Sequence, residues 1–390
     1  VGIDALPEAH AEGATVVGGA IDAVPGQGFS ARRTAETTHS VAVGRLAVVA
    51  LAGAGTASAA RAAAWTSEAA PREAAYGFGG GLAAAVCTRG RPAALARAVR
   101  SLIAQSEPLA EILIIDQAQP GEPSAALIAA ELGSYVAAVR YVREMRPGPG
   151  AARNRALRMC RHPFLAFLDD DAIAHGAWSA QLRRTFDDPA VAACTGRVES
   201  RSDAGAAGSR IEVHGGSGRV VLPRDAAGRL NGRRMPLIAW AVSVASGCGL
   251  AVRVDAALAA GGFDEQLDDG DALRGAGDHD LLWRLLLAGR SVVSEPQAVA
   301  WREQRAGAAE ASVAGRQRGV VAFLVKSLAR APRRHAPGVV VFLAWRLMEP
   351  GARLVRRAAG RDPLPARALL AMWLDCCRGL AAYRIGASES

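Results

Sequence analysis

Between Leu82 and Leu168 short apolar runs alternate with stretches of helical spacing, a rhythm that few folds accommodate. LAAAVC (82–87), EILIID (111–116), AAVRYVRE (137–144) and FLAFL (164–168) have the length and composition of strands. AALARAVRSLIAQS (93–106), PSAALIAAEL (123–132) and GPGAARNRALRMC (148–160) place apolar residues at helical intervals. Such repetition predicts an α/β fold with a mainly parallel sheet flanked by helices. FLAFL is apolar at every position, as a strand buried on both faces requires.

In open sheets of this class ligands bind at the carboxyl ends of strands, near a switch in strand order. Thr88, Asp116 and Asp169–Asp171 fall at such ends. Three consecutive carboxylates repel one another and cannot all be buried without partners. The residues alone leave two readings: a solvated turn in which one Asp caps the next helix, or a site for something cationic.

Composition bounds the partners. The 390 residues suffice for about two or three domains. A 51% hydrophobic, 21% charged chain can build a sizeable core, which argues against wholesale disorder. The net charge of +9 suggests polyanions: nucleotides, nucleic acid or an anionic membrane surface. The excess is almost wholly arginine, with Lys326 the sole lysine, and abundant alanine points to a GC-rich coding bias, so the arginines say little about phosphate. At 5% aromatic residues an aromatic–basic platform is missing, and no nucleic-acid partner is expected. None of the six cysteines forms a C-x-x-C pair, so neither a zinc site nor a disulfide framework is expected, and the cytoplasm is the default location. VGIDALPEAH has early acids and no basic segment, so it does not read as a signal peptide. No apolar run reaches about 18 residues, the length of a spanning helix.

Three regions follow. Residues 1–80 form an Ala/Gly-rich extension, helical in part; its GAGTAS (53–58) mimics half of a dinucleotide-binding turn but has Ser58 where the third glycine belongs. Residues 81–305 hold the alternating block, with 190–235 reading as strands and a mobile loop. Residues 306–390 read as a basic helical segment. Between Gly315 and Asp362 basic residues recur against only Glu349 and Asp362, interleaved with VVAFLV and VVVFLAW. This segment reads either as helices resting on an anionic inner leaflet or as a bundle packed on the rest of the chain.

Over about 82–305 the order of motifs resembles the inverting family 2 glycosyltransferases of the GT-A fold. AAAVCTRGRPAALARAVRSL is similar to that family's opening strand, loop and helix, and EILIIDQAQ to its second strand ending in Asp. GPGAARNRAL is similar to its Arg-Asn helix, and FLAFLDDDAIAHGAW to its metal-binding DxD segment. SGCGLAVRVDAALAAGGFDEQL and GAGDHDLLWRLLLAGR look like its acceptor-side loop and base-bearing helix.

The DxD assignment has independent chemical support. In an extended segment residues i and i+2 face one way, so Asp169 and Asp171 are able to share a divalent cation while Asp170 points elsewhere. Hard oxygen donors suit Mg2+ or Mn2+, which keep positions open for phosphate oxygens. The resemblance implies the other roles. Asp171 takes the firmest metal role, with Asp169 near the ribose or metal. Thr88, Arg89, Asp116, Arg153, Asn154, Asp170 and Arg302 fall around the nucleotide sugar, and Gly247, Cys248 and Gly249 form the acceptor or donor loop. Asp278 is the general base, with Asp280 the alternative; a simple helix cap at Asp278 stays open. Two departures stand out: Gly277 replaces the acid usual before the base, and Arg302 a histidine often found after the last strand.

The resulting expectation is a metal-dependent inverting transferase. It would move a sugar from a nucleotide diphosphate sugar to the hydroxyl of a glycan, a lipid-linked or a small-molecule acceptor. The protein would be cytoplasmic or peripheral on the inner face of the cell membrane, in cell-envelope polysaccharide synthesis. A nucleotidyltransferase of similar fold and a catalytically inactive binding module are the alternatives.

Overall fold

The computed structural model describes residues 81–119, 124–202, 211–214, 218–228, 230, 234–268, 273, 275–304, 308–362 and 364–383. The GAGTAS stretch and the rest of the N-terminal extension lie outside them. The first half comprises β1 (Leu82–Thr88), α1 (Pro92–Ile103), β2 (Glu111–Asp116), α2 (Ser124–Leu132), β3 (Arg140–Arg143), α3 (Pro149–Met159) and β4 (Phe164–Asp169). Its strands are parallel in the order β3–β2–β1–β4. Alternate side chains enter opposite cores. Ala83, Ala85, Leu113, Ile115, Leu165 and Phe167 join one cluster, which α3 covers with Ala152, Ala156 and Leu157. Ala84, Val86, Ile114 and Leu168 join the other, which α1 covers with Leu95, Val99 and Leu102. Burial on both faces is why these strands are apolar without alternation.

One expected strand begins late. Gly133, at φ +58°, ends α2 in the left-handed region and leads into a short 3-10 turn over Gly133–Ala138. Pairing with β2 begins only at Arg140.

The second half comprises β5 (Ala172–Ala174), α4 (Trp178–Thr185), β6 (Val191–Ser202), β7 (Ile211–His214), β8 (Val220–Leu222), α5 (Leu237–Val244), β9 (Leu250–Arg253), α6 (Val254–Ala259), α7 (Gly277–Leu287) and β10 (Ser291–Gln304). The sheet continues β4–β9–β6–β10–β5 and becomes mixed: β9 is antiparallel to both neighbours, β10 parallel to β6, and β5 antiparallel to β10. Antiparallel pairings are thus commoner here than the alternation up to Leu168 suggests. A register shift in β10 between Glu295 and Val299 lies against Gly196, where a Cβ would stand 2.4 Å from the Ala298 carbonyl oxygen. Beyond the bulge, Arg302 pairs with Ala172, one residue past the aspartate triplet.

Three helices complete the described chain: α8 (Ala308–Arg330), α9 (Ala336–Ala358) and α10 (Ala366–Ala382). Val320, Phe323 and Leu324 of α8 and Val339 and Phe342 of α9 enter the first core, so this segment packs on the sheet-bearing part. Among the described residues no helix is long and apolar enough to cross a membrane.

Candidate active site

A cavity of about 690 Å³ opens at the carboxyl ends of β1 and β4. Its wall includes the β1–α1 loop, the aspartate triplet, the start of α3, residues 245–248, the start of α7, and Arg302. Thr88, Arg89, Arg153, Asp169, Asp170, Asp171, Gly247, Cys248, Asp278 and Arg302 of the sequence-based set are brought together here.

The triplet is held by two arginines. Arg91 Nη1 lies 3.0 Å from Asp170 Oδ1 and 3.1 Å from Asp171 Oδ2. Thr88 Oγ1 donates to Asp170 Oδ2 at 2.8 Å. Arg302 is ion-paired with Asp169 through Nη2, and its Nε lies 3.4 Å from Asp171 Oδ1. One guanidinium therefore reaches both outer aspartates, which share a side, while Asp170 turns to Thr88 and Arg91.

Gly148, at φ +94°, and Pro149 open α3. One turn in, Arg153 Nη1 lies 2.7 Å from Asp268 Oδ2. Burial would lower the Arg153 pKa, but Asp268 and Asp278 more than reverse this and raise it, so the guanidinium is a fixed charge. A Cβ at Gly247 would come within 2.6 Å of Arg153 Nη2, so any larger residue there would push the guanidinium aside.

Asp278 is the second residue of α7, which begins at Gly277 after the N-cap Ala276. Asp278 is therefore not the N-cap residue, although its carboxylate meets a first-turn N–H. Its Oδ1 accepts from the His279 backbone N–H at 2.9 Å and lies 2.8 Å from His279 Nδ1. Burial would raise its pKa; His279 and Arg153 together outweigh this and hold it below the usual carboxylate value. The positive end of α7 acts in the same sense. The carboxylate is thus ionised, almost fully buried and on the cavity wall.

Four expected residues lie elsewhere. Asp116 is buried, its oxygens accepting from Ala118 N–H at 3.0 Å and Tyr141 O–H at 2.7 Å. Asn154 braces the 263–265 turn, bonding Phe263 N–H at 2.8 Å and Phe263 C=O at 2.9 Å. Gly249, at φ +80°, sits behind the loop against Gly196. Asp280 points away to Arg284, 2.7 Å from its Nη2, and Lys326, 2.6 Å from its Nζ. Cys248 does line the cavity, but burial pushes its thiol up to about 12, so it is a neutral packing group.

Sequence reasoning missed Arg91, Gln117, Asp268 and His279, all on the wall. Arg91 sits in the TRGRP loop and Gln117 follows Asp116, so position along the strand ends could have flagged both. Asp268 had no local signal. Its side chain fills the space beside Gly277, where a Cβ would lie 3.2 Å from Asp268 Cβ and 3.4 Å from its Oδ2.

Among the described residues no group of three or more His, Cys, Asp or Glu side chains converges as a complete metal site. Asp169 and Asp171 fit an ion that takes its remaining ligands from phosphate and water. They are the same two carboxylates that Arg302 holds.

Residues 84–258 match the family model described as Glycosyl transferase family 2. Over 216 residues it is 30% identical to the pre-mycofactocin glycosyltransferase of two Mycobacterium tuberculosis strains. That match covers 54% of this chain and 42% of the relative, so the chain spans less than half the length of the curated relatives it matches. Among solved structures, the mannosyltransferase PcManGT from Pyrobaculum calidifontis, in complex with GDP-Man and Mn2+, superposes with a TM-score of 0.51 at 21% identity. It covers 83% of this chain and 91% of PcManGT, and identifies the fold as GT-A, a mixed α/β sheet with flanking helices.

Proposed function

We propose that this chain transfers a sugar from a nucleotide diphosphate sugar to an acceptor hydroxyl, with inversion at the anomeric carbon. The observation that carries the reading is that Asp278, buried and ionised, opens into the same cavity as the Asp169–Asp171 triplet. Asp278 would take the proton of the acceptor hydroxyl as its oxygen bonds to the anomeric carbon. The bond from that carbon to the diphosphate breaks in the same step, and nucleoside diphosphate leaves. Asp169 and Asp171 would hold Mg2+ or Mn2+, which supplies charge to neutralise the departing diphosphate.

Thr88, Arg89 and Arg91 line the nucleotide side of the cavity in this reading. Arg153, fixed by Asp268, lends positive charge beside Asp278. Asp268 supplies a carboxylate at the space that Gly277 leaves, and Arg302 meets the diphosphate as a fixed cation. Residues 81–305 are the catalytic unit, 1–80 an extension, and 306–390 a helical segment that places the protein on the inner face of the membrane, near a lipid-linked glycan acceptor. The complex of PcManGT with GDP-Man and Mn2+ supports a nucleotide-sugar donor and a divalent ion.

A panel of nucleotide sugars, assayed with and without Mn2+ or Mg2+, tests this. The reading expects metal-dependent release of nucleoside diphosphate from one donor. Pyrophosphate release would indicate a nucleotidyltransferase instead, and no turnover of any donor an inactive binding module.

A further inference from the structure

The last two described helices bury several of their charges and leave rows of large apolar side chains exposed. On α9, Arg346 Nη1 lies 3.1 Å from Glu349 Oε2, and Arg353 Nε lies 2.9 Å from Asp362 Oδ2; all four residues are buried. On α10, Asp375 is buried against Arg318 of α8 at 2.7 Å. The outward face of α9 instead repeats Val341, Met348 and Val355 every seventh residue, at 61%, 65% and 72% exposure. The outward face of α10 carries Leu370, Trp373 and Leu374 at 47%, 48% and 55%. The two helices pack together. A helix facing water shows the opposite arrangement, and grouped large apolar side chains of this kind mark an interaction surface.

Charge identifies what covers it. Between 331 and 383 the acids Glu349, Asp362 and Asp375 are all buried. The charged residues left exposed are arginines: Arg333 and Arg334 before α9, Arg357 and Arg361 at its end, and Arg367 and Arg378 on α10. A second copy of the chain would bring arginine against arginine around a two-fold contact. A layer with an apolar interior and anionic headgroups satisfies both the apolar rows and the arginines. No described helix is suited to span it, so the helices would lie in its plane.

We propose that the outward face of α9 and α10 is a docking surface for an anionic lipid bilayer, with Val341, Met348, Val355, Leu370, Trp373 and Leu374 below the headgroups and the arginines among them. The inference gives a surface to the membrane part of the proposed function and rests on that part, not on the sugar transfer.

The test is co-sedimentation of the full chain with vesicles of phosphatidylcholine alone and of phosphatidylcholine with phosphatidylglycerol. The expected result is binding to the anionic vesicles, falling with salt. The combined variant Val341→Glu, Met348→Glu, Val355→Glu loses about tenfold or more in partitioning, with an unchanged melting temperature because these side chains are exposed. Arg333→Gln with Arg334→Gln and Arg361→Gln weakens the preference for phosphatidylglycerol. Brominated lipid quenches Trp fluorescence in the wild type and much less in Trp373→Phe. Three outcomes overturn the proposal: no binding to either vesicle, binding that survives the glutamates, or a dimer in solution that the glutamates dissociate. Donor turnover measured without vesicles reports separately on the cavity, so a failure there is not mistaken for a failure here.

Discussion

Lys326 Nζ stands 2.6 Å from Asp280 Oδ1, and both side chains are shut away from water. The same nitrogen is 2.6 Å from Asp264 Oδ2. This is the only lysine in an arginine-rich sequence. Its ammonium sits as a compact point charge between the two carboxylates. The contact fastens α8 to α7, the helix that carries Asp278. Arg284 still pairs with Asp280, and Asp264 keeps the neutral donors Tyr383 O–H and Gln266 N–H, so Lys326→Ala should cost about 3 kcal/mol, the low end for breaking a buried pair. Denaturant titration measures it; a loss below about 1 kcal/mol, the level of an exposed ion pair, would show that the contact does not anchor the helices.

Arg302 holds the two carboxylates assigned to the metal. Without donor it would therefore compete with the proposed ion for Asp169 and Asp171. Arg302→Gln should tighten Mn2+ binding to the nucleotide-free chain by about tenfold, since a charge-assisted contact of about 1.4 kcal/mol or more is removed. Asp171→Ala should abolish that binding while the fold survives. Electron paramagnetic resonance of free Mn2+ reads both directly. Unchanged affinity in Arg302→Gln would remove the competition.

The pH dependence follows from Asp264 and Asp278. Burial alone would raise both, but Lys326 beside Asp264, and His279 with Arg153 beside Asp278, bring each below the ordinary 3.8. Carboxyls depressed in this way stabilise the folded state above their unfolded value, and the contribution is lost as pH falls through the folded value. The melting temperature should be flat from neutrality down to about pH 5 and fall below about pH 4. Asp264→Asn should lower the plateau and flatten the acid fall. A wild-type melting temperature that drops steadily between pH 7 and 5 would contradict these assignments.

How much was legible in the sequence follows from the range of the interactions. The strands before Leu168 were readable because burial on both faces leaves a continuous apolar run, and their ends located Thr88 and the triplet. Pairing between distant segments left no such trace. Arg153 with Asp268, Lys326 with Asp264 and Asp280, and Arg91 with the triplet are all set by tertiary packing. Strand-end position does not say where the Asp116 carboxylate turns, which is inward to Tyr141 and the Ala118 N–H. The helix after GPG was readable, yet it sends Arg153 to the cavity and Asn154 to the 263–265 turn, a difference of side that spacing alone does not settle.

The most direct test is acceptor-dependent release of nucleoside diphosphate by Asp278→Asn. The amide keeps the size of the carboxylate and its capacity to accept from the His279 N–H, but it cannot take the acceptor's proton. A general base contributes about 10²–10⁴-fold. The account predicts a fall of that order in turnover, with donor affinity close to wild type and a melting temperature lowered only by the stability that the depressed carboxylate contributes. An Asp278→Asn protein that transfers sugar at nearly the wild-type rate would contradict it.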